Sequence, residues 1–193
     1  MKTVPPAGPF VAPGVMDGAT CRLVRASMDA GTREVAEVFA GDIEVREAVR
    51  RAHSLEVPEA ILDIVGRVLD AQRDAIGAYY GCTLGEREGA GLLRYDAGGF
   101  YRRHVDRADA ASWLGAARRA ITVVLFLASS RDVDPTGACL GGHLRLHLGG
   151  VDAPMDIAPR EGTLVAFPAA TPHEVTPVLD GQRDTIVDWF YDG

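Results

Sequence analysis

The chain has 193 residues, enough for one domain with a buried core. Its 47% apolar and 24% charged content excludes disordered and fibrous architectures. With 20 cationic against 27 acidic side chains, a net charge of −7 and no basic run longer than two arginines, nucleic acid and anionic membrane are not expected partners.

Residues 1–15 hold four of the eleven prolines and little periodicity, and read as an extended leader without the apolar core of a signal peptide. Asp17 is placed to cap a short helix carrying Cys21, Leu23, Val24 and Met28. Residues 32–40 fit helical and strand periods equally. The clearest helix spans 58–80, with Pro58 in its first turn, Gly81 at its exit and one stripe of Ile61, Leu62, Val65, Val68, Leu69, Ile76 and Tyr79. From about Leu92 the texture changes to short β-rich runs at 92–95, 120–127, 143–148, 162–167, 173–177 and 185–191, punctuated by Gly, Pro and Asp. Closely spaced strands after helices make the class α+β, with a sandwich or barrel in the second half. The longest apolar run, residues 121–128, is too short to cross a bilayer. Cys21, Cys82 and Cys139 form no paired motif and suit a reducing cytoplasm.

The chemistry concentrates in the histidines. His104 and Asp106 are two apart, so on an extended segment both project to the same side. An imidazole and a carboxylate side by side supply two ligands, and a distal histidine completes a facial triad with open positions for a ferrous ion. His173, after the strand at 162–167 and a Pro-rich turn, is the natural third ligand. Arg183, ten residues further on, opens another strand, and its fork suits a carboxylate held bidentately, as a 2-oxoglutarate enzyme requires. His143 and His147 alternate with Leu144, Leu146 and Leu148, which places them on one solvent-facing or pocket-mouth side; His53 reads as a surface histidine, and Asp132, Asp134 and Asp152 as turn formers.

Several stretches then carry a resemblance. Leu93-x-Tyr95-x-x-Gly98-x-x-Tyr101-x-x-His104-x-Asp106, Arg119-x-x-Thr122, Gly141-Gly142 with Leu144-Arg145-Leu146, Pro159-x-x-Gly162-Thr163-Leu164-Val165-x-Phe167, Pro172-His173-Glu174-Val175-x-Pro177 and Arg183 through Trp189-Phe190-Tyr191-Asp192 follow one another in order. Together they resemble the prolyl 4-hydroxylase branch of the Fe(II)- and 2-oxoglutarate-dependent dioxygenases, with a lean toward the hypoxia-inducible-factor prolyl hydroxylases and their bacterial relatives. His143 and Ala128 depart from that pattern without touching a proposed ligand.

The resemblance implies a double-stranded β-helix, or jelly roll, with N-terminal helices on its major sheet. One catalytic domain over 1–193 is expected, with mainly helical support at 16–90 and a catalytic core at 91–193. It implies His104, Asp106 and His173 as iron ligands, Arg183 and Tyr95 on the distal carboxylate of 2-oxoglutarate, and Tyr101 and Thr122 on the pocket wall. Fe(II), 2-oxoglutarate and O2 are the expected cofactor and co-substrates, with ascorbate as a candidate reductant. The expected reaction is hydroxylation of a prolyl residue in a protein or peptide, releasing succinate and CO2. A free amino acid or small metabolite is the alternative substrate. A non-catalytic metal-binding jelly roll and a zinc hydrolase are the alternative classes; the latter leaves Arg183 without a role. The sequence leaves the oligomeric state open, and the segments 107–118 and 129–140 are candidate lids.

Overall fold

A computed structural model of the chain describes residues 8–36, 38–39, 43–44, 48–107, 114–149 and 153–193. Residues 1–7 of the expected leader, 108–113 of the first candidate lid and Asp152 lie outside the described residues. The elements in chain order are β1 (Phe10–Ala12), α1 (Gly18–Ala30), β2 (Arg33–Val35), β3 (Val38–Phe39), β4 (Ile43–Glu44), β5 (Arg50–Arg51), β6 (His53–Leu55), α2 (Glu59–Asp70) and α3 (Arg73–Tyr80). The second half continues with β7 (Leu84–Arg87), β8 (Gly91–Asp96), β9 (Phe100–His104), α4 (Leu114–Ala117), β10 (Arg119–Phe126), β11 (Cys139–Gly141) and β12 (Leu144–Leu146). It ends with β13 (Met155–Ile157), β14 (Leu164–Pro168), β15 (His173–Val175) and β16 (Val178–Asp192).

A major sheet runs β1-β14-β10-β16-β8-β6-β2, with β7 and β11 also on β16; a minor sheet runs β13-β12-β15-β9-β5. The two antiparallel layers face each other as a jelly roll and, among the described residues, do not close into a barrel. The fifteen-residue β16 is the spine, pairing with β10, β8, β7 and β11.

Alternation along these strands sorts side chains between two cores. Ile121, Val123 and Leu125 of β10, with Leu164, Ala166, Ile186 and Phe190, turn outward under the helices. Val124, Phe126, Val165 and Phe167 turn inward to meet Leu144 and Leu146 of the minor sheet. Helix α1 begins where expected: Asp17 Oδ1 accepts from the Thr20 amide at 2.8 Å, and Cys21, Val24 and Met28 are the buried face. Leu23 stays on the exposed side.

Three sequence expectations need correction. The helix over 58–80 is two helices, because the Gln72 amide bonds to Leu69 O at 3.0 Å, a tighter i→i−3 link that shifts the axis between α2 and α3. No Gly or Pro stands there to announce the break. Ile61, Val65, Leu69 and Ile76 are buried as a stripe, while Leu62 and Tyr79 lie at its exposed edges. The support region is also less helical than expected: β2 pairs with β6, and β6 with β8, so this stretch extends the major sheet. Segment 129–140 is tied down rather than loose. Ser130 N bonds to Pro159 O at 2.8 Å, Ala138 N to Ser129 O at 2.9 Å, and Asp132 accepts from the Gly141 amide at 3.0 Å. Among the described residues no helix is long and apolar enough to cross a membrane.

Candidate metal centre

His104 ends β9 and His173 begins β15, and the antiparallel register sets the two residues directly opposite each other. Asp106 follows two residues after His104 in a bend that is pinned to the main chain: the Asp106 and Arg107 amides both donate to Ala169 O at 3.0 Å. His104 Nε2 lies 3.5 Å from Asp106 Oδ1, and His173 Nε2 lies 3.5 Å from Asp106 Oδ2. The ligating atoms of the three residues all fall within 4.8 Å of one another, and among the described residues no other group of three metal-ligating side chains is found.

Both rings are oriented by main chain. His104 Nδ1 lies 2.8 Å from Arg102 O and His173 Nδ1 lies 2.9 Å from Thr171 O. A carbonyl only accepts, so Nδ1 carries the proton in each ring and the Nε2 lone pairs point toward the carboxylate. Burial lowers the pKa of His173, favouring the neutral ring. For Asp106 burial acts upward, but the His173 and His104 imidazoles outweigh it and hold the carboxyl well below the usual range. Two imidazoles held by their Nδ1–H groups, with Nε2 turned toward one carboxylate, are a donor set that fits a ferrous ion.

Around this group the structure places the other expected residues. Tyr101 stacks on His104, with centroids 3.6 Å apart and planes 20° off parallel, and burial pushes its phenol up to about 12. Thr122, expected on the pocket wall, donates to Asp106 Oδ2 at 2.7 Å and thus positions a ligand. Arg183 lies opposite Tyr95 in the β16–β8 register, its guanidinium 5.1 Å from the Tyr95 ring centroid and 5.3 Å from that of Phe126. It is 2% exposed. Its Nη1 donates to Thr185 Oγ1 at 2.9 Å, and its Nε is buried with no hydrogen-bond partner among the described residues. Burial lowers its pKa. Gly142 leaves room for this arginine: its φ is +66°, and a Cβ there would stand 2.9 Å from Arg183 Cδ.

Other contacts are not legible in the motif spacing. Arg119 binds Glu88 (Nε to Oε2, 2.6 Å), donates from Nη1 to Asp106 O at 3.1 Å and lies 3.6 Å over the Trp189 ring. Phe167 meets His173 edge-on at 4.7 Å. Inward alternation along β16 (Arg183, Thr185, Val187, Trp189) is the signal that could have found Thr185 and Trp189. His143 and His147 take separate acidic partners, Asp132 at 2.8 Å and Glu174 at 3.4 Å. Asp134 caps its own turn by accepting from the Thr136 amide at 2.9 Å. His53 is half-buried beside Arg33 and Asp96 rather than free at the surface.

Comparison with known proteins follows this geometry. The family model described as the 2OG-Fe(II) oxygenase superfamily matches residues 90–191, just over half of the chain. A PKHD-type hydroxylase from Sphingopyxis alaskensis is 35% identical over 92 residues; the match spans 48% of this chain and only 38% of that protein's length. Among solved structures, a Pseudomonas putida prolyl-4-hydroxylase superposes with a TM-score of 0.72 at 25% identity, over 96% of this chain and 93% of its own. A Trichoplax adhaerens prolyl hydroxylase, solved in complex with a hypoxia-inducible-factor oxygen degradation domain peptide fragment, superposes with a TM-score of 0.74 over 96% of this chain and 84% of its own. At 19% identity that second likeness speaks for the fold alone.

Proposed function

The chain belongs to the 2OG-Fe(II) oxygenase superfamily, and from that premise we propose that it hydroxylates a prolyl residue of a protein or peptide. In this reading His104, Asp106 and His173 hold the iron, and Arg183 with Tyr95 holds the distal carboxylate of 2-oxoglutarate. The observation that carries it is Arg183. A guanidinium buried in an apolar interior is costly unless an anion meets it. Its described polar side-chain partner is a neutral hydroxyl, Thr185, and its buried Nε has no hydrogen-bond partner among the described residues, which leaves Nε available to a carboxylate.

When bound, Fe(II) and 2-oxoglutarate supply the oxidation: O2 is consumed, the keto acid leaves as succinate and CO2, and one oxygen atom enters a substrate C–H bond. The chain's own residues make that chemistry orderly. The carbonyls of Arg102 and Thr171 keep both imidazoles in the tautomer that offers Nε2. Thr122 occupies Asp106 Oδ2 and so fixes the carboxylate plane. Thr185 and the flanking rings of Tyr95 and Phe126 steady the guanidinium. Tyr101, titrating only near 12, keeps its phenolic proton at neutral pH and remains a donor. The inward apolar residues Val124, Phe126, Leu144, Leu146, Val165 and Phe167 exclude water from the interior.

A prolyl substrate is supported by the likeness to the Pseudomonas putida prolyl-4-hydroxylase. Anaerobic addition of Fe(II) and 2-oxoglutarate is expected to give the weak visible charge-transfer band of such a chelate, and His173→Ala to abolish it. With O2, succinate release is expected to rise when proline-containing peptides are added and not with their alanine counterparts. A rise produced only by free amino acids would replace the peptide assignment.

A further inference from the structure

Apart from Lys2, every cationic side chain of this protein is an arginine, and most surface arginines meet an acid. Arg33, Arg73, Arg107, Arg131 and Arg145 each pair with a carboxylate. One group departs from this rule. Arg51, Arg102 and Arg103 are exposed on the paired strands β5 and β9, and none of the three has an acidic partner among the described residues. The cause lies in the register. His173 and Val175 of β15 stand opposite His104 and Tyr101 of β9, so β9 carries one extra residue. This bulge lets Tyr101 and His104 stack on each other while Arg102 and Arg103 between them are turned out to solvent. On β5, Arg51 faces Phe100 and has Arg102 as its diagonal neighbour; the two guanidinium groups stand 6.0 and 5.8 Å from the Phe100 ring centroid. Arg102 is further held by its Nε, which donates to Ala48 O at 2.6 Å. Like charges set side by side repel, and the chain as a whole carries −7, so this basic ridge is not a by-product of composition.

We propose that this ridge docks an acidic stretch of the polypeptide substrate, with Asp or Glu side chains within about five positions of the residue that reaches the metal. The inference deepens the prolyl hydroxylase reading by naming the substrate class, and rests on it. The ridge is continuous with the metal centre. Arg103 directly precedes His104, and Arg50, next to Arg51, lies 4.7 Å over the Tyr101 ring that stacks on His104. At ~3.3 Å per residue along a strand and ~4.8 Å between strands, Arg51 Cα lies about 14 Å from His104 Cα, a span that about four extended guest residues cover. Guanidinium forks braced on an aromatic ring are set in advance for carboxylates, so less freedom is lost on contact. A nucleic acid fits this surface less well, because its phosphate backbone would be repelled by the acidic remainder of the chain.

The test reads binding without turnover. The whole chain, loaded anaerobically with Fe(II) and 2-oxoglutarate, is titrated into two fluorescein-labelled peptides that share a central proline and carry Glu or Gln on its flanks. Anisotropy gives the Kd of each. At low salt the Glu peptide should bind about tenfold more tightly. At about 1 M salt, where charges are screened beyond ~3 Å, the preference should disappear. An Arg51→Gln/Arg102→Gln/Arg103→Gln chain should lose the preference. Arg22→Gln/Arg67→Gln, which removes positive charge from α1 and α2, should keep it. Equal Kd values for the two peptides, or a preference that survives the triple substitution, overturn the inference. Oligouridylate binding more tightly than the Glu peptide, and lost in the triple variant, assigns the ridge to RNA and overturns it as well. Turnover in O2 separates this inference from the reading beneath it. Succinate release stimulated equally by the Glu and Gln peptides, and not by their alanine counterparts, overturns the ridge and leaves prolyl hydroxylation standing. Release that follows the glutamates and is indifferent to replacing proline by alanine supports the ridge and overturns the prolyl assignment.

Discussion

Arg94 and Arg183 lie on adjacent strands of the major sheet and both are buried, yet they face opposite sides of it. On the helix side Arg94 grips Asp184 through Nε and Nη2, at 2.7 and 2.9 Å, and Arg25 of α1 joins the same carboxylate at 2.8 Å. On the inner side Arg183 has a hydroxyl, two aromatic rings and an unpartnered Nε. One buried cation is neutralised within the fold; its neighbour is left open to an anion from outside. In the proposed reading the outer face is therefore organised for stability and the inner face for binding.

That contrast can be broken or sharpened experimentally. The largest effect belongs to Asp106→Ala, which should reduce iron-dependent succinate release to background while the circular dichroism spectrum stays native; full activity would refute the ligand assignment. Asp184→Ala takes the buried carboxylate from Arg94, which keeps only the exposed Asp29 at 2.7 Å, and should cost at most about 3–5 kcal/mol in urea unfolding. The opposite-face substitution, Arg183→Met, should leave stability level or slightly raised, since it removes a buried charge with no ionic partner among the described residues. In the same variant the 2-oxoglutarate concentration for half-saturation should rise roughly 10- to 100-fold, the value of a charged hydrogen-bonded contact. Unchanged saturation would move the anchor elsewhere. Thr122→Val should weaken metal affinity by about 10-fold, read by calorimetry with a divalent ion.

The smallest effect is a pH dependence shared by both faces. Burial raises Tyr80, outside, and Tyr101, inside, to about 12 from an ordinary 10.0. Because the folded-state values lie above the unfolded ones, their contribution is complete below pH 10 and is lost as pH rises toward 12. Tyr80→Phe and Tyr101→Phe should each remove one late phenol from the absorbance titration at 295 nm.

Much of this was legible beforehand because it depends on local pattern. The two-residue spacing of His104 and Asp106, the Asp17 cap and the β-rich run at 120–127 all follow from local strand and helix signals. The break between α2 and α3 was not, since it comes from one tightened hydrogen bond at Ala71 and Gln72, residues with ordinary helical preference. Nor was the Arg119 link from Glu88 to the carbonyl of Asp106, which depends on chain segments meeting from 31 positions apart. The rim was misleading for a related reason. A net charge of −7 hides Arg50 and Arg51 beside Arg102 and Arg103 on paired strands next to His104, because composition averages over the surface.

The steering of both imidazoles by carbonyl oxygens has a consequence for how this scaffold can diversify. Every residue brings a carbonyl, so neither ring depends on a neighbouring side chain that drift could erase. Substitutions along the rim are thus free to change which guest is admitted while the reactive core keeps its tuning, and descendants of such a gene can explore new diets without first losing their spark.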